Sequence, residues 1–134
     1  MHELAIALSL LEAALDAART HGGEVLRLHL RLGALSGVDE AALSFAFEVA
    51  AADTPAAGAR LRIESVPVVA WCAACRAECL AQAANCLRCH GCGAWLAEVR
   101  QGRELELTAV ELTPAQGGVQ STAATLAAPP GEPA

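Results

Sequence analysis

The chain has 134 residues, a net charge of −6 and an apolar fraction of 54% with few aromatic side chains, which predicts one small domain with an aliphatic core, or one domain carrying an insertion. The acidic balance opposes the phosphate neutralisation that drives nucleic-acid binding, so it argues against DNA or RNA as a partner. No secretory segment and no apolar run of the ~18–20 residues needed to cross a membrane is recognisable, so we expect a cytoplasmic protein with reduced thiols and no membrane association.

Two segments have the periodicity of amphipathic helices. Residues 3–20 are predicted to form the first helix, because leucines recur on one face at positions Leu4, Leu8, Leu11 and Leu15. A second helix is predicted to begin near Ser36–Asp39, with a buried face made of Leu43, Phe47 and Ala50.

Three segments alternate with the period of two that is typical of half-exposed strands. Residues 24–32 place Leu26, Leu28, Leu30 and Leu32 on one side and Arg and His side chains on the other. Residues 59–65 and 103–112 alternate in the same way, so arginines and glutamates are expected to pair across the exposed face of a sheet.

These elements predict a two-layer α/β fold, in which two helices cover one face of a small three-stranded sheet. Residues 1–68 and 100–112 make up this domain. Residues 69–99 are predicted to be an inserted module with four cysteine ligands, a zinc ribbon. Residues 113–134 are rich in Pro, Ala and Gly without periodicity, and we expect them to be disordered.

All six cysteines of the chain lie within residues 72–92. Paired C-x-x-C motifs about 10–20 residues apart are typical of a tetrahedral zinc site with four sulfur ligands. A segment with so few apolar residues has no core of its own, so the bound metal would supply its folding energy.

Two sets of four ligands satisfy the spacing. Both include Cys72 and Cys75, and the second pair is either Cys86 with Cys89 or Cys89 with Cys92. A glycine after the second cysteine favours the tight turn of a zinc knuckle, and glycine follows only Cys92. The set Cys72, Cys75, Cys89 and Cys92 is therefore preferred. Cys79 and Cys86 are then extra thiols, free or available to a second metal state, and His90 is either a substitute ligand or an exposed knuckle residue.

The N-terminal residues Met1-His2-Glu3 offer a second kind of metal chemistry. A free α-amine, a deprotonated amide nitrogen and the ring nitrogen of His2 can close two fused chelate rings in a plane, which suits Ni(II) or Cu(II). By itself this signal is also compatible with an ordinary surface histidine.

The chain resembles the HypA/HybF-type hydrogenase nickel-incorporation proteins over residues 1–112. The resemblance rests on four features of the sequence: the opening MHELAIA, the block LRLGALSGVDEAALSFAFE, the C-x-x-C pairs at 72–75 and 89–92, and the closing GRELELTAVEL. The family's second knuckle, LRC-x-x-CG, corresponds here to residues 87–93, which favours Cys89 and Cys92 as ligands.

The resemblance implies a metallochaperone rather than an enzyme. It implies transient Ni(II) on the N-terminal amine and backbone, on His2 and at Glu3, with structural Zn(II) in the ribbon. It also implies delivery to the large subunit of [NiFe]-hydrogenase together with a GTPase of the same maturation pathway. Asp39 corresponds to a carboxylate near the family's nickel site, although it can equally act as the N-cap of the second helix. Glu40 is an alternative to Asp39.

Two other functions are compatible with parts of this pattern. A zinc-ribbon adaptor for protein interaction would use the cysteines and ignore nickel. A thiol oxidoreductase would use C-x-x-C chemistry, but it needs the motif at a helix N-terminus. The sequence is compatible with either a monomer or a dimer. It is also compatible with any hydrogenase, or with a urease, as the protein that receives the nickel.

Overall fold

The computed structural model describes residues 2–114 and 120–122, within which the chain forms two helices and eight strands. The order is α1 (Glu3–His21), β1 (Val25–Gly33), α2 (Glu40–Ala51), β2 (Arg60–Val66), β3 (Val69–Cys72), β4 (Ala77–Ala83), β5 (Cys86–Cys89), β6 (Ala97–Gln101), β7 (Leu105–Leu112) and β8 (Gln120–Thr122). The described residues divide into two compact units. The first, the α/β unit, comprises 2–30, 38–64, 106–114 and 120–122; the second comprises 31–37 and 65–105.

The larger sheet has the strand order β2-β1-β7-β8, so it has four strands where the sequence predicted three. The added strand β8 pairs antiparallel with β7. This strand lies in the segment that the sequence predicted to be disordered. Its backbone pairs with that of β7, a contact that the composition of the segment did not indicate. The rest of that segment beyond Pro114 lies outside the described residues.

The α/β class and the two helices are confirmed, but the buried face of α1 differs from the prediction. Leu4 and Leu8 are 53% and 50% exposed. The side chains that are buried on this helix are Ala7, Leu10, Leu11 and Ala14. Alanines at positions 7 and 14 let α1 lie close to its neighbours, and a leucine count does not detect such a face.

Helix α2 begins where the sequence indicated. Asp39 is its N-cap, and Oδ1 of Asp39 accepts a hydrogen bond from the N–H of Ala42 over 2.9 Å. Leu43, Phe47 and Ala51 are buried along the face that packs into the core. Phe47 is the largest fully buried side chain, whereas Phe45 on the same helix is 68% exposed.

Replacing Phe47 by alanine is expected to destabilise the α/β unit by about 3–5 kcal/mol, because truncating a buried phenylalanine loses burial and leaves a cavity. The matched substitution Phe45→Ala changes the same residue type on an exposed face, so its effect should stay within roughly 0.5 kcal/mol. Urea unfolding of the two variants at equal zinc loading measures both. Equal losses would show that the packing of α2 has been assigned to the wrong face.

The polar face of the larger sheet carries the expected cross-strand ion pair. Arg27 Nε contacts Oε2 of Glu111, and His29 Nε2 lies 3.1 Å from the same oxygen. The Arg27 hydrogen bond, with a further one from His29, lowers the pKa of the Glu111 carboxyl. Alternation along β1 is not strict, however, since Val25 is buried and Leu26 only partly so.

The second sheet has the order β5-β4-β3-β6 and lies wholly in the cysteine-containing segment. Its strands β3, β4 and β5 form an antiparallel meander. Between residues 69 and 101 the buried side chains are Ala70, Cys72 and Cys89, so this sheet has no apolar core of its own. This segment therefore depends on its cysteines, rather than on apolar packing, to stay folded.

Elsewhere in the same unit, two glycines allow a close backbone approach. Gly33 and Leu35 hydrogen-bond through their N–H groups to the carbonyls of Glu104 and Gly102. A Cβ at Gly33 would lie 2.1 Å from the Gly102 carbonyl oxygen, so no other residue fits there.

Candidate metal centres

The N-terminal candidate site lies where the two helices of the α/β unit begin. His2 is the N-cap of α1 and is exposed. Its carbonyl accepts a hydrogen bond from the N–H of Ile6, while its side chain makes no capping bond. The imidazole is therefore not required to hold the helix. Met1 lies outside the described residues.

Glu3 joins the start of α1 to the start of α2. Oε2 of Glu3 accepts a hydrogen bond from the backbone N–H of Asp39 over 3.4 Å. The structure thus brings Glu3, which follows His2 in the chain, into contact with Asp39, although 36 positions separate Glu3 from Asp39. It also assigns Asp39 the capping role, which a carboxylate can combine with a further interaction because each oxygen has two lone pairs.

The second candidate site is built from two knuckles. In the first, the N–H of Cys75 donates to Sγ of Cys72 over 3.4 Å, and the next residue, Arg76, has φ +55°. In the second, the N–H of Gly93 donates to the Cys89 carbonyl over 2.9 Å, and Gly93 has φ +77°. Each knuckle therefore turns through a left-handed residue directly after its second cysteine, and each buries its first cysteine while exposing the second.

The distances between the two knuckles fit a zinc ion. Sγ of Cys72 lies 3.6 Å from Sγ of Cys92, and Sγ of Cys75 lies 3.9 Å from Sγ of Cys89. Zn–S bonds of about 2.3 Å in a tetrahedron place the sulfur atoms about 3.8 Å apart. These residues would hold zinc as a structural ion, one that folds the ribbon without taking part in a reaction.

Cys86, the alternative to Cys92, makes contacts outside this arrangement of sulfur atoms. It begins β5, pairs with Ala83 and directs its thiol to Oε1 of Gln82 at 3.4 Å. His90 is exposed, and its backbone N–H donates to the Leu80 carbonyl. Neither residue is among the sulfur contacts between the knuckles.

The protonation of the thiols follows from these hydrogen bonds. The backbone N–H of Cys92 and, more weakly, that of Gly91 stabilise the thiolate of Cys89 and, against the effect of burial, lower its pKa to about 6. Hydrogen bonding to the thiols of Cys92, Cys72 and Cys89 raises the pKa of Cys75. One knuckle thus offers a thiolate at neutral pH, and zinc binding would release the remaining protons.

The second knuckle is supported from outside by an aromatic contact. The guanidinium of Arg88 lies 4.1 Å from the ring centroid of Trp95, and Arg88 Nη1 donates to the Gly93 carbonyl over 3.3 Å. Arg88 and Trp95 also form a β-bridge. The stack fixes the residues that flank Cys89 and Cys92.

The sequence left Cys79 as an extra thiol, either free or available to a second metal state. The sulfur atoms of Cys72, Cys75, Cys79 and Cys89 all lie within 4.8 Å of one another, so Cys79 is part of the cluster. Cys79 has no C-x-x-C partner, which is why spacing alone left it as an extra thiol. Its position becomes apparent only from the register of β4.

Comparisons with known proteins agree on one protein family. A family model described as "Hydrogenase/urease nickel incorporation, metallochaperone, hypA" matches residues 1–112. Proteins named hydrogenase maturation factor HypA from Chloroflexus aurantiacus and from a Roseiflexus species are each 46% identical over 112 residues. That alignment covers 83% of this chain in both cases, with 98% of the first relative and 91% of the second.

Two solved structures are similar in fold. The solution structure of the Ni metallochaperone HypA from Helicobacter pylori superposes with a TM-score of 0.57 at 23% identity, covering 85% of this chain and 99% of that one. A second solution structure, of a HypA protein, gives a TM-score of 0.60 at 24% identity, covering 84% and 96%. Within the described ranges, neither helix has both the length and the apolar character that a membrane crossing requires.

Proposed function

The chain belongs to the hydrogenase/urease nickel-incorporation metallochaperone family, and we propose that it binds Ni(II) at its N-terminus and delivers it for [NiFe]-hydrogenase maturation. In this proposal Met1, His2 and Glu3 bind the nickel, and Asp39 assists them. Cys72, Cys75, Cys89 and Cys92 hold a structural zinc ion. The chain acts as a metal carrier rather than as an enzyme.

The observation that supports the proposal is the hydrogen bond between Glu3, which follows the N-cap His2 of α1, and Asp39, the N-cap of α2. The first four N–H groups of an α-helix have no intrahelical acceptor. The amide nitrogens of His2 and Glu3 are therefore available to a metal without breaking a bond of α1. Planar coordination by nitrogen ligands, which Ni(II) favours, is compatible with an intact helix at this position.

Electrostatics also supports a transient site here. The start of a helix carries a partial positive charge, which disfavours a cation but favours the loss of protons from nearby amine and amide nitrogens. The carboxylates of Glu3 and Asp39 offset the first effect. Because His2 is exposed, an acceptor can replace the ligands one at a time, as a carrier of exchangeable nickel requires.

The resemblance also implies the partners of this step: the hydrogenase large subunit as acceptor and a GTPase of the same maturation pathway. A site that depends on reduced thiols is suited to the cytoplasm, where thiols stay reduced.

The test of this function is a nickel titration of zinc-loaded protein, with and without a Gly-Ser extension before Met1. The native protein should bind about one Ni(II) with the absorption of a planar site, and the extended form should lose it, because the α-amine becomes an amide. Equal binding by both forms would place nickel elsewhere, for example among the thiols. Binding by neither, with zinc retained, would favour a zinc-ribbon adaptor.

Asp39 can be tested separately for its two roles. Asn is as good an N-cap as Asp, so Asp39→Asn should leave stability nearly unchanged, whereas Asp39→Ala should cost about 1 kcal/mol. If the carboxylate assists nickel, both variants should bind nickel roughly 10–100-fold more weakly. Thermal unfolding and nickel titration of the pair measure the two effects, and native nickel affinity in Asp39→Asn would restrict Asp39 to capping.

A further inference from the structure

The second sheet, β5-β4-β3-β6, is the ribbon sheet. Its register places three cysteines on one face, one on each of three neighbouring strands. In β3 and β4, Cys72 pairs with Ala77 and Ala70 pairs with Cys79. In β4 and β5, Ala81 pairs with Cys89. Because side chains alternate along a strand, residues 77, 79 and 81 point to the same face, which is also that of Cys72 and Cys89. Cys79 therefore lies on the middle strand, diagonally between the first cysteines of the two knuckles.

The sulfur positions agree with this register. Cys72, Cys75, Cys79 and Cys89 have sulfur atoms that all lie within 4.8 Å of one another, and Sγ of Cys92 lies 3.6 Å from that of Cys72. Five thiols thus converge where a tetrahedral zinc ion has four coordination positions. Cys79 is partly buried, while Cys92 is exposed.

We propose that Cys79 is a fifth sulfur donor of the zinc site, which can take the place of Cys92 on the metal. This inference rests on the zinc part of the proposed function and is independent of nickel. Cys72 and Cys89 are fully buried and Cys75 belongs to the mutually close group, so Cys92 is the ligand whose departure leaves four neighbouring sulfurs.

The exchange is balanced in atoms and charge. The bond from zinc to Cys92 breaks as the bond to Cys79 forms, the thiol of Cys79 gives up a proton, and the thiolate of Cys92 takes one. Zinc keeps four thiolates throughout, and no oxidant or reductant takes part. The consequence is an exposed Cys92 thiol on a ribbon that is still metal-loaded and folded.

Reciprocal protection from alkylation tests this directly. Zinc-loaded full-length protein is treated with iodoacetamide, and the modified cysteines are located by mass spectrometry. In the wild type, Cys79 and Cys92 should share one modification per molecule with zinc retained. In Cys79→Ser, alkylation of Cys92 should be lost, and in Cys92→Ser alkylation of Cys79 should be lost. Cys86→Ser serves as the matched control and should leave both sites as in the wild type.

Cobalt substitution gives a readout of ligand number. Either single variant should keep the sulfur-to-cobalt charge-transfer intensity of four thiolates, and only Cys79→Ser/Cys92→Ser should fall to that of three. The proposal is wrong if Cys92→Ser alone already matches the double variant, or fails to hold cobalt while Cys79→Ser binds it normally. It is also wrong if Cys79 is alkylated equally fast in the wild type and in Cys92→Ser. Failure of nickel binding would leave these outcomes unaffected.

Discussion

Replacing His2 by alanine should weaken nickel binding by more than the roughly 10–100-fold that loss of an outer-sphere partner costs, because the imidazole nitrogen itself is removed. The side chain of His2 makes no capping hydrogen bond, so the substitution should leave α1 in place. Circular dichroism and zinc content should therefore match the wild type while nickel affinity falls. Competition with a nickel chelator measures the affinity.

The control for this variant is His21→Ala. His21 lies at the other end of the same helix and is exposed, so its removal changes the histidine count without touching the proposed site. Its nickel affinity should equal that of the wild type. Similar losses in the two variants would mean that nickel binds histidines nonspecifically, and no loss in either would exclude His2 as a ligand.

Removal of zinc should unfold the ribbon while leaving the α/β unit folded. Apparent binding energies of structural zinc are about 10–16 kcal/mol in small zinc-dependent modules. The ribbon sheet has little to replace them, since Ala70, Cys72 and Cys89 are its only buried side chains between residues 69 and 101. In contrast, the α/β unit has an aliphatic core around Leu10, Leu28, Phe47 and Leu107.

Hydrogen exchange with and without a zinc chelator measures this difference. Peptides from β3 to β5 should lose protection on chelation, while those from α1 and α2 should keep it. Cys89→Ser should reproduce the effect without chelator, because Cys89 is buried and belongs to both ligand sets allowed by spacing. Cys86→Ser should not. Ribbon peptides that stay protected after complete zinc removal would show that the sheet folds without the metal.

The local sequence pattern was sufficient to predict the two helices, three of the strands and the cysteine knuckles. The 3.6-residue and two-residue periods predicted the positions of α1, α2, β1, β2 and β7, although the leucine face that predicted α1 is not the face that it buries. The C-x-x-C spacing predicted paired knuckles, and the glycine at position 93 indicated the turn, because a knuckle is completed within a few residues. The strands of the ribbon were not predicted individually, since their order depends on the metal ligands more than on apolar alternation.

Three features were decided only by the tertiary structure. The buried side of α1 runs along Ala7 and Ala14 because close packing, which selects small side chains, set the rotation of the helix. Glu3 meets Asp39 because the two helices start side by side, which no local pattern encodes. Cys79 joins the thiol cluster because the pairing of β4 with β3 and β5 turns it toward Cys72 and Cys89. The sequence by itself determined which chemistry the chain possesses, whereas long-range strand register and helix contacts decided which of those groups meet.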